Sequence, residues 1–380
     1  MAARTRSRTG TSVGYDKQMF VGNVWYDGPV STLTQSGVCT DVTGSPRLDH
    51  TLSVISYDST GFTGISGATT NPLYAGSHCS GIIPQQVAPV FKDGFGSVSL
   101  PTDANASTLL QSRSNPGRPG VTPLSLIQDL RDIPKMLKDV GRLARAPHKL
   151  LTAKEIANQN LAIRFGWVPL IHDINDLMDL GKTINQRKME LQSLYSGHGL
   201  RRRLKLGKST VVDTLTGTFS YNVHQSGFTA SRTTTGEKWG VCHWKPTVAP
   251  GLLPGEDALL KQATKAVSGM TTAGLFNGAW DLLPWTFIID YFTDFHDFVL
   301  AYNNTVPAQY IPGTIMTHRK AVSNVVTSLA PGYTGGSGSV VCEAKERTLA
   351  SFATINAFLP NLGMDRLSIL SSLFIQRFKR

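Results

Sequence analysis

Five cations at helical spacing are the residues of this chain best suited to chemistry with a partner. Arg131, Lys135, Lys138, Arg142 and Arg145 follow one another at intervals of four, three, four and three. At about 100° per residue they fall on one stripe of an α-helix. Leu126, Leu130, Ile133, Leu137 and Val140 repeat on the inward face, with Asp129, Asp132 and Asp139 on a third flank. Such a helix turns a cationic ridge outward, although Pro134 removes one hydrogen bond and kinks or restarts it. The cations continue through Lys149, Arg187 and Lys188 to Arg201-Arg202-Arg203-Leu204-Lys205-Leu206-Gly207-Lys208. From Arg142 to Lys208 there are 13 basic residues against five acids. Alternation in Arg203-Leu204-Lys205-Leu206 suits a strand whose cations project to one side. Guanidinium forks and ammonium point charges both match phosphate oxygens, and neutralising several phosphates releases condensed counterions. The chemistry this pattern points to is RNA-backbone binding. With about six to ten phosphate contacts, affinity would fall by about 10³ to 10⁵ between about 50 and 200 mM salt.

Other constellations carry less. Tyr195 beside the arginine run and His148 beside Lys149 could stack on unpaired bases, but ordinary packing outweighs that reading for both. Asp173, Asp176 and Asp179, and again Asp290, Asp294 and Asp297, stand at helical spacing. No histidine completes a ligand set with either triad, so each reads as a salt-bridged or solvated helix face. Cys39, Cys79, Cys242 and Cys342 are far apart and form no C-x-x-C, which leaves buried free thiols as the default. The chain holds no nucleophile elbow, zincin motif, P-loop or dinucleotide fingerprint, and no Gly-Asp-Asp. Neither catalysis nor a cofactor is expected.

Behind these residues stand the elements that must position them. The chain has 380 residues, enough for a large core and two or three domains. Lysine and arginine exceed the acids by 37 to 26, a net charge of +11, which favours a polyanionic partner. Residues 1–123 read as β-rich: Gly, Ser and Thr alternate with short apolar runs, and Arg4, Arg6 and Arg8 form a mobile basic arm. Between Asp49 and Gln111 only Asp49, Asp58, Lys92, Asp93 and Asp103 are charged. Residues 124–200 read as helical, 201–250 as strands and 255–305 as helical. Strands return over 306–358, and a terminal helix follows over 359–380. Long alternating blocks argue for an α+β fold with antiparallel sheet. The start of the chain does not read as a secretion signal, because polar residues follow its arginines. Trp280 to Tyr302, interrupted by Asp281, Asp290, Asp294 and Asp297, does not suit a membrane span, so stable membrane insertion is not expected.

Two aromatic-proline segments add a family resemblance. Phe165-Gly166-Trp167-Val168-Pro169-Leu170-Ile171-His172-Asp173-Ile174 is followed, about a hundred residues on, by Pro284-Trp285-Thr286-Phe287-Ile288-Ile289-Asp290-Tyr291. With the basic end Ile375-Gln376-Arg377-Phe378-Lys379-Arg380, they resemble the maturation protein of single-stranded RNA bacteriophages. The resemblance covers roughly the helical half of the chain. It implies an elongated molecule with a helical-bundle region and an antiparallel β-sheet region, each built from discontinuous segments. It also implies a virion protein, assembled in the bacterial cytoplasm, that binds the single-stranded genomic RNA and joins it to the viral coat protein. Attachment of the particle to a bacterial pilus and passage of the RNA into the host are implied as well. Composition alone leaves open a generic RNA-binding protein with an appended β domain, or a receptor-binding adhesin.

Overall fold

The structure, a computed structural model, describes residues 2–14, 17–20, 24–27, 31–43, 50–60, 63–68, 78–82, 94–120, 179–196, 198–221, 224–247, 254–268 and 293–356. Threonine, valine and aromatic residues alternating with polar ones dominate its long strands, as a pleated, half-buried surface requires. Twelve strands occur among the described residues: β1 (Ala2–Gly14), β2 (Lys17–Phe20), β3 (Val24–Asp27), β4 (Ser31–Thr43), β5 (Leu52–Thr60), β6 (Ile65–Ala68), β7 (His78–Ile82), β8 (Leu200–Tyr221), β9 (His224–Pro246), β10 (Ala308–Ser328), β11 (Tyr333–Thr334) and β12 (Gly338–Leu349). Four helices accompany them: α1 (Asp103–Ser114), α2 (Leu180–Tyr195), α3 (Glu256–Val267) and α4 (Phe295–Tyr302). The fold is α+β, as the alternating blocks predict.

The chain divides into two compact units, each assembled from separate segments. The first holds Met1–Asp103, Lys205–Gly240 and Gly313–Ala350; the second holds Ala104–Leu204, Val241–Pro312 and Ser351–Arg380.

A seven-stranded antiparallel sheet runs in the order β1-β4-β5-β12-β10-β9-β8, which leaves β8 at one edge. A smaller sheet runs β11-β6-β7-β2-β3. Period-two burial selects the core of the first unit. Ser226, Phe228 and Ala230 of β9, Ala321, Ser323 and Val325 of β10, and Val340, Cys342 and Ala344 of β12 point inward. Phe219, Ile65 and Tyr333 complete the cluster. Gly67, with φ at +147°, lets β6 and β11 pair; a Cβ there would lie 2.1 Å from the Gly332 carbonyl oxygen.

The expected mobile basic arm is a strand. β1 pairs with β4 along its whole length, placing Arg4 opposite Asp41 and Arg6 opposite Cys39. Arg4 donates to both Asp41 oxygens, at 2.9 and 2.7 Å, and Arg6 reaches the same carboxylate at 2.9 Å. Cross-strand neutralisation by Asp41, thirty-odd residues away, is what composition did not reveal. Over 306–358 the strands β10 and β12 run 21 and 12 residues, with the two-residue β11 between them.

In the second unit, α2 packs on α3. Leu191, Leu194 and Tyr195 are buried on α2, and Leu259, Ala263, Ala266 and Val267 on α3, the helical repeat of an inward stripe. The helix α1 lies within the stretch read as β-rich. Its apolar stripe is broken, because Ser107, Thr108, Gln111, Ser112 and Ser114 are buried beside Ala106 and Leu110. Three of those side chains receive the extended segment 351–356. Ser107 Oγ, Thr108 Oγ1 and Gln111 Oε1 accept the Ser351, Thr354 and Ala353 backbone N–H groups at 3.2, 3.2 and 2.9 Å. Buried backbone donors must find acceptors, and here a helix face supplies them.

Candidate nucleic-acid interface

The two parts of the predicted cationic surface fare differently. Arg131, Lys135, Lys138, Arg142, Arg145 and Lys149 lie outside the described residues, as do His148 and the segments Phe165–Ile174 and Pro284–Tyr291. Arg187, Lys188, Arg201, Arg202, Arg203, Lys205 and Lys208 are described, and the structure sorts them into inward and outward groups.

Strand pleating does the sorting on β8. Arg201, Arg203 and Lys205 occupy alternate positions and are exposed, while Arg202, Leu204 and Leu206 turn the other way. The alternation changes phase at Gly207, whose backbone lies against Pro101; a Cβ there would sit 2.7 Å from Pro101 Cδ. Lys208 is consequently exposed as well and pairs with Glu237 at 2.9 Å. That ion pair, chiefly through its hydrogen bond, holds the Glu237 carboxyl below the usual carboxylate range. Cations on these outward positions present charge to solvent with a strand backbone fixing their spacing.

Arg187 and Arg202 face inward and meet at Glu190. Arg187 sits in the middle of α2, and its side chain is 4 % exposed. Its Nη1 donates to the Pro116 carbonyl at 3.2 Å and to Glu190 Oε2 at 3.1 Å, and its Nη2 to the Arg118 carbonyl at 3.2 Å. Arg202, 12 % exposed, pairs with the same Glu190 oxygen. Arg118, from the turn after α1, approaches Glu190 Oε1 at 3.5 Å. Burial works to raise the Glu190 pKa, but the charges of Arg118, Arg187 and Arg202 outweigh it and hold the carboxyl below its usual range. Burial and the neighbouring Arg187 and Arg202 push the Arg118 guanidinium down to about 9, so it stays charged at neutral pH. Lys188, the next residue on α2, pairs across to Glu256 at the start of α3.

Arg118 and Glu190 were not singled out from sequence. The i,i+3 spacing of Arg187 and Glu190 was the available signal; Arg118 is distant along the chain and gave none. Tyr195 is buried, which settles it as packing. Asp294 and Asp297 are structural receptors and not a solvated face. Buried Asp294 accepts from the Asn356 backbone N–H at 2.6 Å and its side-chain amide at 2.8 Å, and Asp297 accepts from Ser112 Oγ at 2.8 Å. Cys242 and Cys342 are buried free thiols, whereas Cys39 is partly exposed. Among the described residues no group of His, Cys, Asp and Glu is placed to hold a metal ion, and no helix is long and apolar enough to cross a membrane.

A family model described as phage maturation protein matches residues 129–325, just over half of the chain, and includes the ridge, the arginine run and both aromatic-proline segments. The chain belongs to the phage maturation protein family and is a structural component of the virion. No curated protein matches it.

Proposed function

We propose that this chain binds the single-stranded genomic RNA of its phage, joins it to the coat protein shell and attaches the particle to a bacterial pilus. The observation that carries the RNA part is the outward row Arg201, Arg203 and Lys205 at the start of β8. A strand holds successive outward residues about 6.5–7 Å apart, close to the spacing of phosphates along an extended nucleic-acid strand. The ridge Arg131, Lys135, Lys138, Arg142 and Arg145, with Lys149, extends this surface in the proposal. The charge-poor stretch from Asp49 up to the start of α1 supplies the pilus-facing surface, since receptor-facing loops on a sheet need no phosphate-binding cations.

Crosslinking in purified virions tests the assignment. RNA attached to Arg131–Lys208 is the expected result; attachment confined to residues before Ser112 would reverse it. Titration with a 3′-terminal fragment of the phage RNA against a scrambled RNA then measures specificity. Equal affinity with a steep salt slope would reduce the chain to a generic binder, and no binding at low salt would leave an adhesin.

A further inference from the structure

The meeting of Arg118, Arg187 and Arg202 at Glu190 leaves charge unbalanced. Three guanidiniums face one carboxylate among the described residues, a local excess of two positive charges. Arg187 spends its Nη donors on two carbonyls and on Glu190. The other two are less complete. Arg202 Nε is buried without an acceptor among the described residues. Arg118 gives Nη1 to the Asn115 carbonyl at 3.1 Å and holds Glu190 only at 3.5 Å, with 26 % of its side chain open to solvent. Like charges gathered away from water repel strongly unless an anion joins them.

We propose that this cluster binds one tetrahedral oxyanion of the phosphate class, with Arg118 and Arg202 as its donors and Glu190 as the residue that spaces them. Guanidinium forks present paired N–H groups in the plane that phosphate oxygens match. Arg118 forms the open side, through which the anion is reached. A phosphodiester of the RNA backbone and free inorganic phosphate offer the same oxygens. The first source rests on the RNA-binding reading above; the second does not.

The experiment uses the full chain and compares thermal midpoints in sodium phosphate and in sodium chloride of equal ionic strength. The variants are Arg118→Gln and, as a control, Arg113→Gln, which removes an exposed cation on α1. Phosphate should raise the midpoint of the unaltered chain and of Arg113→Gln above chloride. The apparent phosphate Kd of Arg118→Gln should be weaker by about tenfold or more, as loss of a charged hydrogen bond implies. If Arg118→Gln does not fold, the unaltered chain decides: no rise specific to phosphate overturns the site. A short single-stranded RNA separates the sources. RNA that competes with phosphate supports a backbone phosphodiester as the occupant. Phosphate stabilisation with no RNA binding at all keeps the site, assigns it to the free anion and sinks the RNA-binding reading. RNA binding equal in the unaltered chain and Arg118→Gln, with no phosphate effect, overturns the site and leaves that reading intact.

Discussion

Replacing Arg201 and Arg203 together with glutamine separates phosphate contacts from ordinary surface charge. Both side chains are exposed on β8, and Arg202 between them turns inward to Glu190. Each phosphate neutralised on single-stranded RNA contributes about 0.7 to the slope of log affinity against log salt. Two contacts therefore contribute about 1.4, which over the fourfold range from about 50 to 200 mM salt is about sevenfold in the fall of affinity. Fluorescence anisotropy of a labelled RNA, measured across that range, should show the double variant with the shallower slope and an unchanged circular dichroism spectrum. Arg232→Gln is the matched control. Arg232 is 9 % exposed and its Nε donates to Asp213 at 2.9 Å, so its loss should cost about 1–3 kcal/mol of stability and leave the slope alone. An unchanged slope in the double variant would refute the contact assignment. So would half that reduction in Arg232→Gln, the share its single charge would carry if net charge alone set the slope.

Three further outcomes follow from the internal contacts. The hydrogen bond from Arg4 holds the Asp41 carboxyl at about 2, with Coulombic help from Arg4 and Arg6 outweighing desolvation. A depressed pKa contributes stability above the unfolded carboxylate value of about 3.9 and loses it as pH falls through about 2. An NMR titration of Asp41 should show that midpoint, and Arg4→Gln should move it upward. Burial pushes the Cys242 thiol up to about 11, so alkylation of the native chain near pH 8 should label Cys39 well before Cys242 or Cys342; equal labelling by mass spectrometry would contradict the packing. Gln111→Ala removes both the acceptor for the Ala353 N–H and the donor to the Ala301 carbonyl, at 2.9 and 3.2 Å. Leaving those buried groups unpaired should cost about 2–5 kcal/mol, read as a lower denaturation midpoint at constant slope.

What was legible in the sequence was whatever repeats locally. Period-two alternation located β8 to β10 and gave the outward direction of Arg203 and Lys205. Residues 180–195 and 256–267, which form α2 and α3, lie within the blocks read as helical. The α1 helix escaped because Ser107, Thr108 and Gln111 share its inward face with Ala106 and Leu110, holding the backbone of residues 351–356, so the apolar repeat is interrupted. The first strand escaped because Arg4 and Arg6 pair with Asp41 from another strand, and no local pattern announces a cross-strand partner.

The same distinction governs the arginine run itself. As a string, Arg201-Arg202-Arg203 is one block of like charge, and charge counting assigns all of it to a polyanion. As a strand, it cannot act as a block, because pleating sends neighbours to opposite faces. Arg202 is forced to the face that carries Leu204 and Leu206, where an unpaired cation would be costly. Glu190 meets it there, already held by Arg187 three residues earlier on α2. Among the described residues one carboxylate faces three guanidiniums, which leaves positive charge unspent beside Arg118. The phosphate contacts proposed for the outward arginines and the anion proposed for the inward group both follow from one strand geometry. They differ in what salt does to them: exposed contacts are screened within about 8–10 Å at physiological ionic strength, and the sheltered group much less. Binding that persists at high salt in the Arg201→Gln, Arg203→Gln chain, and disappears when Arg118→Gln is added, would be the signature of the inward group.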